Sequence, residues 1–385
     1  MKYSIIGSGR QGIASAYDIG KFGKAKKIEL FDVEINVAIE GAARLNDLLN
    51  TNLFTGHQID VTNFDQVRKI LSDTDALLAG VPYKFLPKLT EIAIECRTPM
   101  VDYGGNTGNA IRQIELSDQA KDVGITIVPE CGMGPGMNIT MALLAMEQMD
   151  SPKEVSIWDG GLPQDPQPPW NYSIFFNVDG LTNEYDGDAY FLENKQLVRV
   201  PCFDRLETLE FSQPLGDLEA AVTSGGLSTM PWTFKGQLTK LENKTLRYPG
   251  HWEWMKAFRQ LGLFSQEKVK FKGMEIIPRE FYHALLEPQI DNGRVEDVCI
   301  MRIRCTGSHE DKPRTAWVNS VEYYDKETGF SAMEKWTGWH ASILLIAAAH
   351  GKLEKGVIPV EKVMSGTEFK KEAELRDYEI SIDVT

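Results

Sequence analysis

The chain has 385 residues, of which 42% are apolar and 25% charged, ordinary proportions for a globular protein with room for two domains. Lys and Arg number 41 against 55 Asp and Glu, a formal charge of −14, and a field of that sign repels phosphate backbones and anionic lipid. Nucleic acid and membrane surfaces are therefore not expected as partners, and five scattered cysteines and six dispersed histidines, without a CxxC, suggest neither a disulfide framework nor a metal site.

The opening residues MKYSIIGSG read as a strand and a turn, without signal-peptide anatomy. No stretch approaches the roughly 20 apolar residues of a membrane span, so a cytoplasmic protein is expected. Residues 1–135 alternate short apolar runs with helical patterns. YSIIG, KIELFD, HQID, ALLAGVP, MVDYGG and ITIVPE predict strands. VAIEGAARLNDLL, FDQVRKILSD and NAIRQIELSDQAKDVG predict the helices between them. Strand, crossover and strand repeated this way predicts an α/β fold, a Rossmann-type doubly wound parallel sheet.

Within the first turn, Gly7, Gly9 and Gly12 have G-x-G-x-x-G spacing. The first permits a tight turn and the second lets backbone approach a pyrophosphate. The third lets the next helix pack on the strand, its N-terminal amides aimed at the negative charge. Asp32 follows Gly12 by 32 − 12 = 20 positions, where a ribose-binding acid is expected. An acid there favours NAD and would repel the 2′-phosphate of NADP. Arg10, beside Gln11 in the loop, leaves NADP possible because a guanidinium can serve that phosphate. Val33 beside Asp32, Asp60 and Val61 after the third strand, and Ala79, Gly80, Val81 and Pro82 after the fourth complete the expected cofactor edge. Gly104, Gly105 and Gly136 would let backbone approach the nicotinamide half.

Residues 136–337 are rich in Thr, Tyr, Phe, Trp and Val, and VEDVCIMRIRCTG and RTAWVNSVEYYD alternate at strand period. They predict an α+β substrate and dimerisation domain with a mostly antiparallel sheet and helices near 251–262 and 278–287. Exposed strand edges would suit a homodimer or homotetramer. In residues 338–385, WHASILLIAAAHGK predicts an apolar helix ending at Gly351 that packs back on the first domain. A cleft between the halves is the expected ligand site.

Five segments, GVPYKF (80–85), VDYGGNTG (101–108), VPECGMGPGMN (128–138), DGGLP (159–163) and TLRYPGH (245–251), resemble the saccharopine dehydrogenase-like oxidoreductases. The likeness runs from the first strand through the final helix. PPWNYSIFFNVDGLTNEY (168–185), AAVTSGGLSTM (220–230) and LENKTLRYPGH (241–251) most resemble the L-lysine 6-dehydrogenase branch. That resemblance implies NAD-dependent oxidation of the terminal amine of L-lysine to the 6-semialdehyde, which cyclises, with release of ammonia. The saccharopine branch shares GGLP and TLRY but typically carries Asp before its Pro-Gly, where this chain has Gly134, and WS where it has FFNVDG. Saccharopine, or a carboxyalkyl amine, is the competing substrate, and a cofactor-binding relative without turnover is the third reading.

A diamino acid makes three demands on a site. Its α-carboxylate needs a fixed cation, its ammonium (pKa ~10.4) must lose a proton before hydride can leave, and its aliphatic chain needs walls. Arg247, in the family's TLRYPGH segment, is the expected carboxylate ligand, because a guanidinium binds carboxylate through two parallel hydrogen bonds. Thr223 and Ser224 in TSGG would assist, unless they form a plain turn. His251 and Glu130 lead as the base, His251 because imidazole titrates near neutrality and Glu130 because it ends a strand facing the cleft. Asp102 either shares that role or bonds the YGG turn. Tyr83 donates to the substrate or stacks on the nicotinamide. Trp170, Asn171 and Tyr172 would wall the aliphatic chain, by the same resemblance.

Overall fold

Strand β1 (Lys2–Ile6) is buried on both faces from Tyr3 onward because it lies between parallel neighbours under helices. The computed structural model describes residues 1–385. After β1 come β2 (Lys27–Asp32), β3 (Phe54–Gln58), β4 (Ala76–Ala79), β5 (Met100–Asp102) and β6 (Thr126–Val128). With β17 (Gly356–Val357) they form a seven-stranded parallel sheet in the order β17-β6-β5-β4-β1-β2-β3. The order reverses between β1 and β4, which opens a crevice at the carboxyl ends of the strands. Two local expectations shift. The third strand begins at Phe54, before the HQID run, and the long helical pattern after 107 divides into Thr107–Ile114 and Ser117–Asp122.

The second half supplies β7 (Ser151–Pro163), β8 (Asp188–Glu193), β9 (Gln196–Pro201), β10 (Glu207–Glu210), β11 (Asp217–Ala221) and β12 (Lys240–Arg247). A separate hairpin pairs β13 (Val269–Phe271) with β14 (Met274–Ile276), and β15 (Asp297–His309), β16 (Lys312–Tyr323) and β18 (Ile380–Val384) follow. Nine of these strands form one sheet, ordered β10-β11-β12-β7-β15-β16-β18 with the β8–β9 hairpin joined to β12. Only β12 against β7 is parallel, so the sheet is mixed and mostly antiparallel, as its alternating sequence predicts. Alternation along β12 is what builds the site. Asn243, Thr245 and Arg247 contact Asp159, Glu184 and Tyr185, whereas Lys244 pairs with Glu207 on the opposite face.

The helix Ala332–Ala349 starts at a Ser331/Glu334 capping box and lies between the two sheets. At Gly338 it presses on the helix Arg10–Phe22 so closely that an added Cβ would stand 2.8 Å from Ala14 Cβ and Ser15 N. The tail after it serves both halves, since β17 edges the first sheet and β18 pairs with β16 of the second. The buried pair Arg376–Asp18, at 2.8 Å, ties that tail to the first helix. No helix is long and apolar enough to cross a membrane.

Candidate active site

The opening turn is built around missing side chains. Gly7 sits at φ +98°, and a Cβ there would meet Gly80 O at 2.1 Å, while one on Gly12 would meet Gly7 O at 2.0 Å. At Gly9 a Cβ would meet nothing within 4 Å, so space stands open over the helix Arg10–Phe22, whose first turn no side chain caps. Asp32 accepts from Ser8 N (2.9 Å) and Glu34 N (3.1 Å), which holds its carboxylate at the rim of that space. Free amides, a helix dipole and an acid at the rim fit a dinucleotide: diphosphate over Gly9, ribose hydroxyls on Asp32.

The other expected cofactor residues divide. Ala79 and Gly80 end β4 against Gly7, and Gly80 N donates to Ile6 O (2.7 Å), with Val81 and Pro82 following. Gln11 O accepts from Tyr103 Oη (2.8 Å), and the Tyr103 ring lies under Gly80. Val33 is exposed beside Asp32, and Val61 is half-buried. Arg10 is exposed, and its guanidinium reaches across to Ile174 O (3.4 Å) and Gly293 O (3.3 Å). Asp60 is exposed, its Oδ1 accepting from Thr62 N (2.9 Å) and Thr62 Oγ1 (2.7 Å).

Beyond β6 the chain turns at Glu130, which holds a left-handed φ of +60°. Glu130 fills the space of an absent side chain at Gly104, where a Cβ would lie 2.3 Å from Glu130 Cγ. Its carboxylate accepts from Ser228 Oγ of the second domain. Burial, with Asp102 adding repulsion, pushes Glu130 up to about 7, against the Ser228 hydrogen bond. Gly105 lies under the Tyr83 ring, and Tyr83 Oη accepts from Asn183 Nδ2 (3.2 Å). Gly136, at φ +135°, closes the turn against Gly132.

Asp102 is corrected as a proton acceptor. One oxygen accepts from Gly104 N (2.8 Å) and Glu130 N (3.0 Å), and the other accepts from Gln113 Nε2 (2.8 Å). Fully buried and fully engaged, it braces the turn that carries Glu130.

The far wall centres on Arg247. Its Nε donates to Tyr185 Oη (2.8 Å) and its Nη1 to Leu246 O (2.9 Å), leaving Nη2 with Glu184 Oε1 at 3.6 Å. Since Tyr185 Oη receives from Arg247, its own proton goes to His251 Nε2 (3.0 Å), and His251 Nδ1–H donates to Trp170 O (3.3 Å). This order corrects His251 as the base. Burial first, and Arg247 second, hold its pKa down to about 3, and both ring nitrogens are occupied. Tyr172 is the member of PPWNY that reaches the site, its ring 5.0 Å from the Arg247 guanidinium. Trp170 instead packs on Trp254 and Phe258, and Asn171 occupies a left-handed turn position at φ +47°. Thr223 Oγ1 meets Thr245 Oγ1 (2.7 Å), which in turn donates to Glu184 Oε1 (3.1 Å). Ser224 faces away from the wall, its hydroxyl on Asn183 O (2.7 Å) and its amide on Glu184 O (2.8 Å).

Sequence reasoning missed Asp159, Glu184 and Ser228. Asp159 accepts from Asn243 Nδ2 (2.7 Å) and lies over Gly134, where a Cβ would stand 2.7 Å from its Oδ2. Burial pushes it up to about 7. One signal was legible: an acid inside the apolar run VSIWDGGLP has to be buried with partners or with a ligand. The other buried cations are spoken for, Lys244 by Glu207 (2.6 Å), Arg279 by Asp186 (2.5 Å), Lys335 by Glu322 (2.6 Å) and Arg376 by Asp18 (2.8 Å). Arg247 has no carboxylate nearer than 3.6 Å.

Residues 4–128 match the family described as saccharopine dehydrogenase NADP binding domain, and residues 132–373 match saccharopine dehydrogenase C-terminal domain. Among curated proteins, saccharopine dehydrogenase (NADP+, L-glutamate-forming) of Saccharomyces cerevisiae is 23% identical over 244 residues, 61% of this chain and 54% of that enzyme. Mitochondrial alpha-aminoadipic semialdehyde synthase of Mus musculus is 25% identical over 215 residues, 52% of this chain and 22% of that protein. By sequence the chain thus spans about half the length of the yeast relative and about a fifth of the mouse one. In structure, apo saccharopine dehydrogenase (L-Glu forming) from Saccharomyces cerevisiae superposes with TM-score 0.76 at 17% identity, covering 100% of this chain and 99% of that one.

Proposed function

Because this chain belongs to the saccharopine dehydrogenase family, we propose that its cleft carries out NAD-dependent oxidation of an amino acid, namely of the terminal amine of L-lysine. The observation that carries the choice of substrate is the charge of the cleft. Arg247 is the buried cation most loosely paired, with Glu184 at 3.6 Å and Asp159 in its field, while Glu130 stands on the turn after β6 against Ser228 of the second domain. Saccharopine brings three carboxylates, for which one guanidinium is a poor match. L-Lysine brings one carboxylate and two ammonium groups, which suits one guanidinium and an excess of acids.

When bound, the nicotinamide supplies a hydride acceptor at the carboxyl edge of the sheet. Gly7, Gly9 and Gly12 with Asp32 would hold the dinucleotide, and NAD rather than NADP is favoured by Asp32. Arg247 takes the α-carboxylate. Glu130 accepts the proton of the ε-ammonium, a task suited to a carboxylate raised to about 7, and Ser228 steadies it by its hydroxyl. Departure of hydride from C6 then leaves a protonated imine, with Glu130 holding the one proton taken from the ammonium. Water adds to it, ammonia leaves, and the 6-semialdehyde cyclises.

A panel of L-lysine, saccharopine and a carboxyalkyl polyamine, each with NAD and with NADP, tests this reading. L-Lysine with NAD is expected to reduce the cofactor fastest and to release ammonia. Faster turnover of saccharopine, with glutamate as product, would replace the lysine reading by the competing one, which rests on the shared GGLP and TLRY segments and the yeast relative.

Asp32 carries a second expectation. Asp32→Ala weakens NAD binding roughly tenfold, about one charge-assisted hydrogen bond, and narrows its advantage over NADP. Fluorescence titration with both nucleotides reads this directly, and an unchanged NAD-to-NADP ratio would remove Asp32 from the ribose site.

Assembly into a homodimer or homotetramer belongs to the same reading. The β13–β14 hairpin supports it, since Val269, Phe271 and Met274 on one of its faces are 48%, 52% and 59% exposed. An isolated two-stranded hairpin needs such a face covered. Sedimentation at low and high protein concentration is expected to show a species larger than the 43.2 kDa chain.

A further inference from the structure

We infer that Asp159 and Glu184, together with Arg247 and Tyr172, form a subsite for both the ammonium and the carboxylate of an α-amino acid head, so that the cleft selects a zwitterion and not merely a terminal amine. The inference rests on the lysine reading and adds to it the group that binds the α-ammonium.

Four observations converge on it. First, the wall is built and oriented. A Cβ on Gly226 would stand 2.0 Å from Asn243 Oδ1, so the bare glycine leaves Asn243 free to turn its amide to Asp159 Oδ1 at 2.7 Å. Asn138 Nδ2 fixes the Gly226 carbonyl (2.9 Å), and Thr245 Oγ1 fixes Glu184 Oε1 (3.1 Å). Second, the charges do not close. Two carboxylates share the field of one guanidinium, and neutral His251 adds nothing to it. Burial holds both acids toward their neutral forms, Asp159 up to about 7, and an arriving ammonium would favour their charged forms.

Third, Tyr172 Oη is buried without any hydrogen-bond partner, in a residue only 3% exposed, and lies in the field of Arg247 and Glu184. A buried hydroxyl of that kind is costly unless a ligand completes it. A carboxylate seated on Arg247 Nη2 would accept its proton. Fourth, Gly134 is what lets Asp159 stand there, because any side chain at 134 would enter the space of Asp159 Oδ2 at 2.7 Å. The pair Gly134 and Asp159 therefore places the acid on the sheet of the second domain, near Arg247, rather than on the turn after β6.

The experiment compares L-lysine with 6-aminohexanoate, which keeps the terminal amine and the carboxylate but lacks the α-ammonium. Pentane-1,5-diamine, which lacks the carboxylate, serves as the reference for Arg247. The native protein is expected to use 6-aminohexanoate at least about 30-fold less well in kcat/KM than L-lysine. In Asp159→Asn and Glu184→Gln that ratio narrows to within about threefold, because L-lysine loses the partner that 6-aminohexanoate never had. Equal use of the two compounds by the native protein would overturn the inference while leaving lysine oxidation standing. Should no amine reduce the cofactor, the functional reading falls, and the subsite is then judged by binding. A rise in melting temperature with L-lysine but not with 6-aminohexanoate upholds it, and equal shifts overturn it.

Discussion

Glu130→Gln lowers kcat for L-lysine by at least about 100-fold and abolishes the limb of the pH profile centred near 7. General base catalysis of this kind contributes roughly 100- to 10,000-fold. Glutamine keeps the size of the side chain and an oxygen that Ser228 can donate to, so the contact between the domains survives. What it cannot do is accept a proton. Glu130 is buried, its carboxyl pushed up to about 7 by that burial, so the ionised form that can act as base accumulates as pH rises through 7. In the native protein kcat/KM therefore climbs to a plateau above that value, and in the variant this step is missing.

The same shift has a consequence for stability, with the opposite sign. An acid raised in the folded state from its ordinary 4.5 binds protons more tightly there than when unfolded. Its contribution to stability falls as pH rises from about 4.5 to about 7 and is level above. Glu130→Gln escapes this penalty, so at pH 8 the variant melts no lower than the native protein. A drop in activity accompanied by a lower melting temperature would mark Glu130 as a structural group instead.

Arg247→Lys produces the other large effect, and in a different kinetic constant. Lysine keeps the charge but loses the planar fork, so it holds a carboxylate at one point only. The α-carboxylate lies away from the bond that breaks and is held alike before and during reaction. Its loss therefore raises KM, by at least about 30-fold, with kcat changing only a few-fold. The substitution also removes the Nε donor from Tyr185 and so slackens the bond that orients His251. Turnover of pentane-1,5-diamine separates the two effects, because that compound has no carboxylate to lose. If it suffers as much as L-lysine, Arg247 acts by bracing the aromatic wall and not by binding substrate.

The cofactor half was legible because its signals are local. Glycines at 7, 9 and 12, a strand before them, a helix after them and an acid 20 positions on form one βαβ unit, and the chain needs no distant partner to build it. Arg247 was legible through its motif, and its environment was not. Strand alternation puts it on one face with Asn243 and Thr245, yet Glu184 and Asp159 arrive from other elements, a helix end and β7. His251 failed as an expectation for the same reason: imidazole titrates near neutrality in water, but burial beside Arg247 takes it to about 3. Residue type gives the ordinary pKa, and only packing gives the shift. Asp102 shows the converse, since its alternative role, bonding the turn, is the one its oxygens perform. Gly134 carried meaning that became readable when the space above it was found to hold Asp159.

Hydride origin tests the central claim most directly. L-Lysine deuterated at both C6 positions is incubated with the protein and NAD, and the reduced nicotinamide is examined by mass spectrometry alongside an ammonia assay. One deuterium at nicotinamide C4 and one ammonia for each cofactor reduced is the predicted result. Unlabelled reduced cofactor, or none formed from L-lysine while the nucleotide is demonstrably bound, would contradict it.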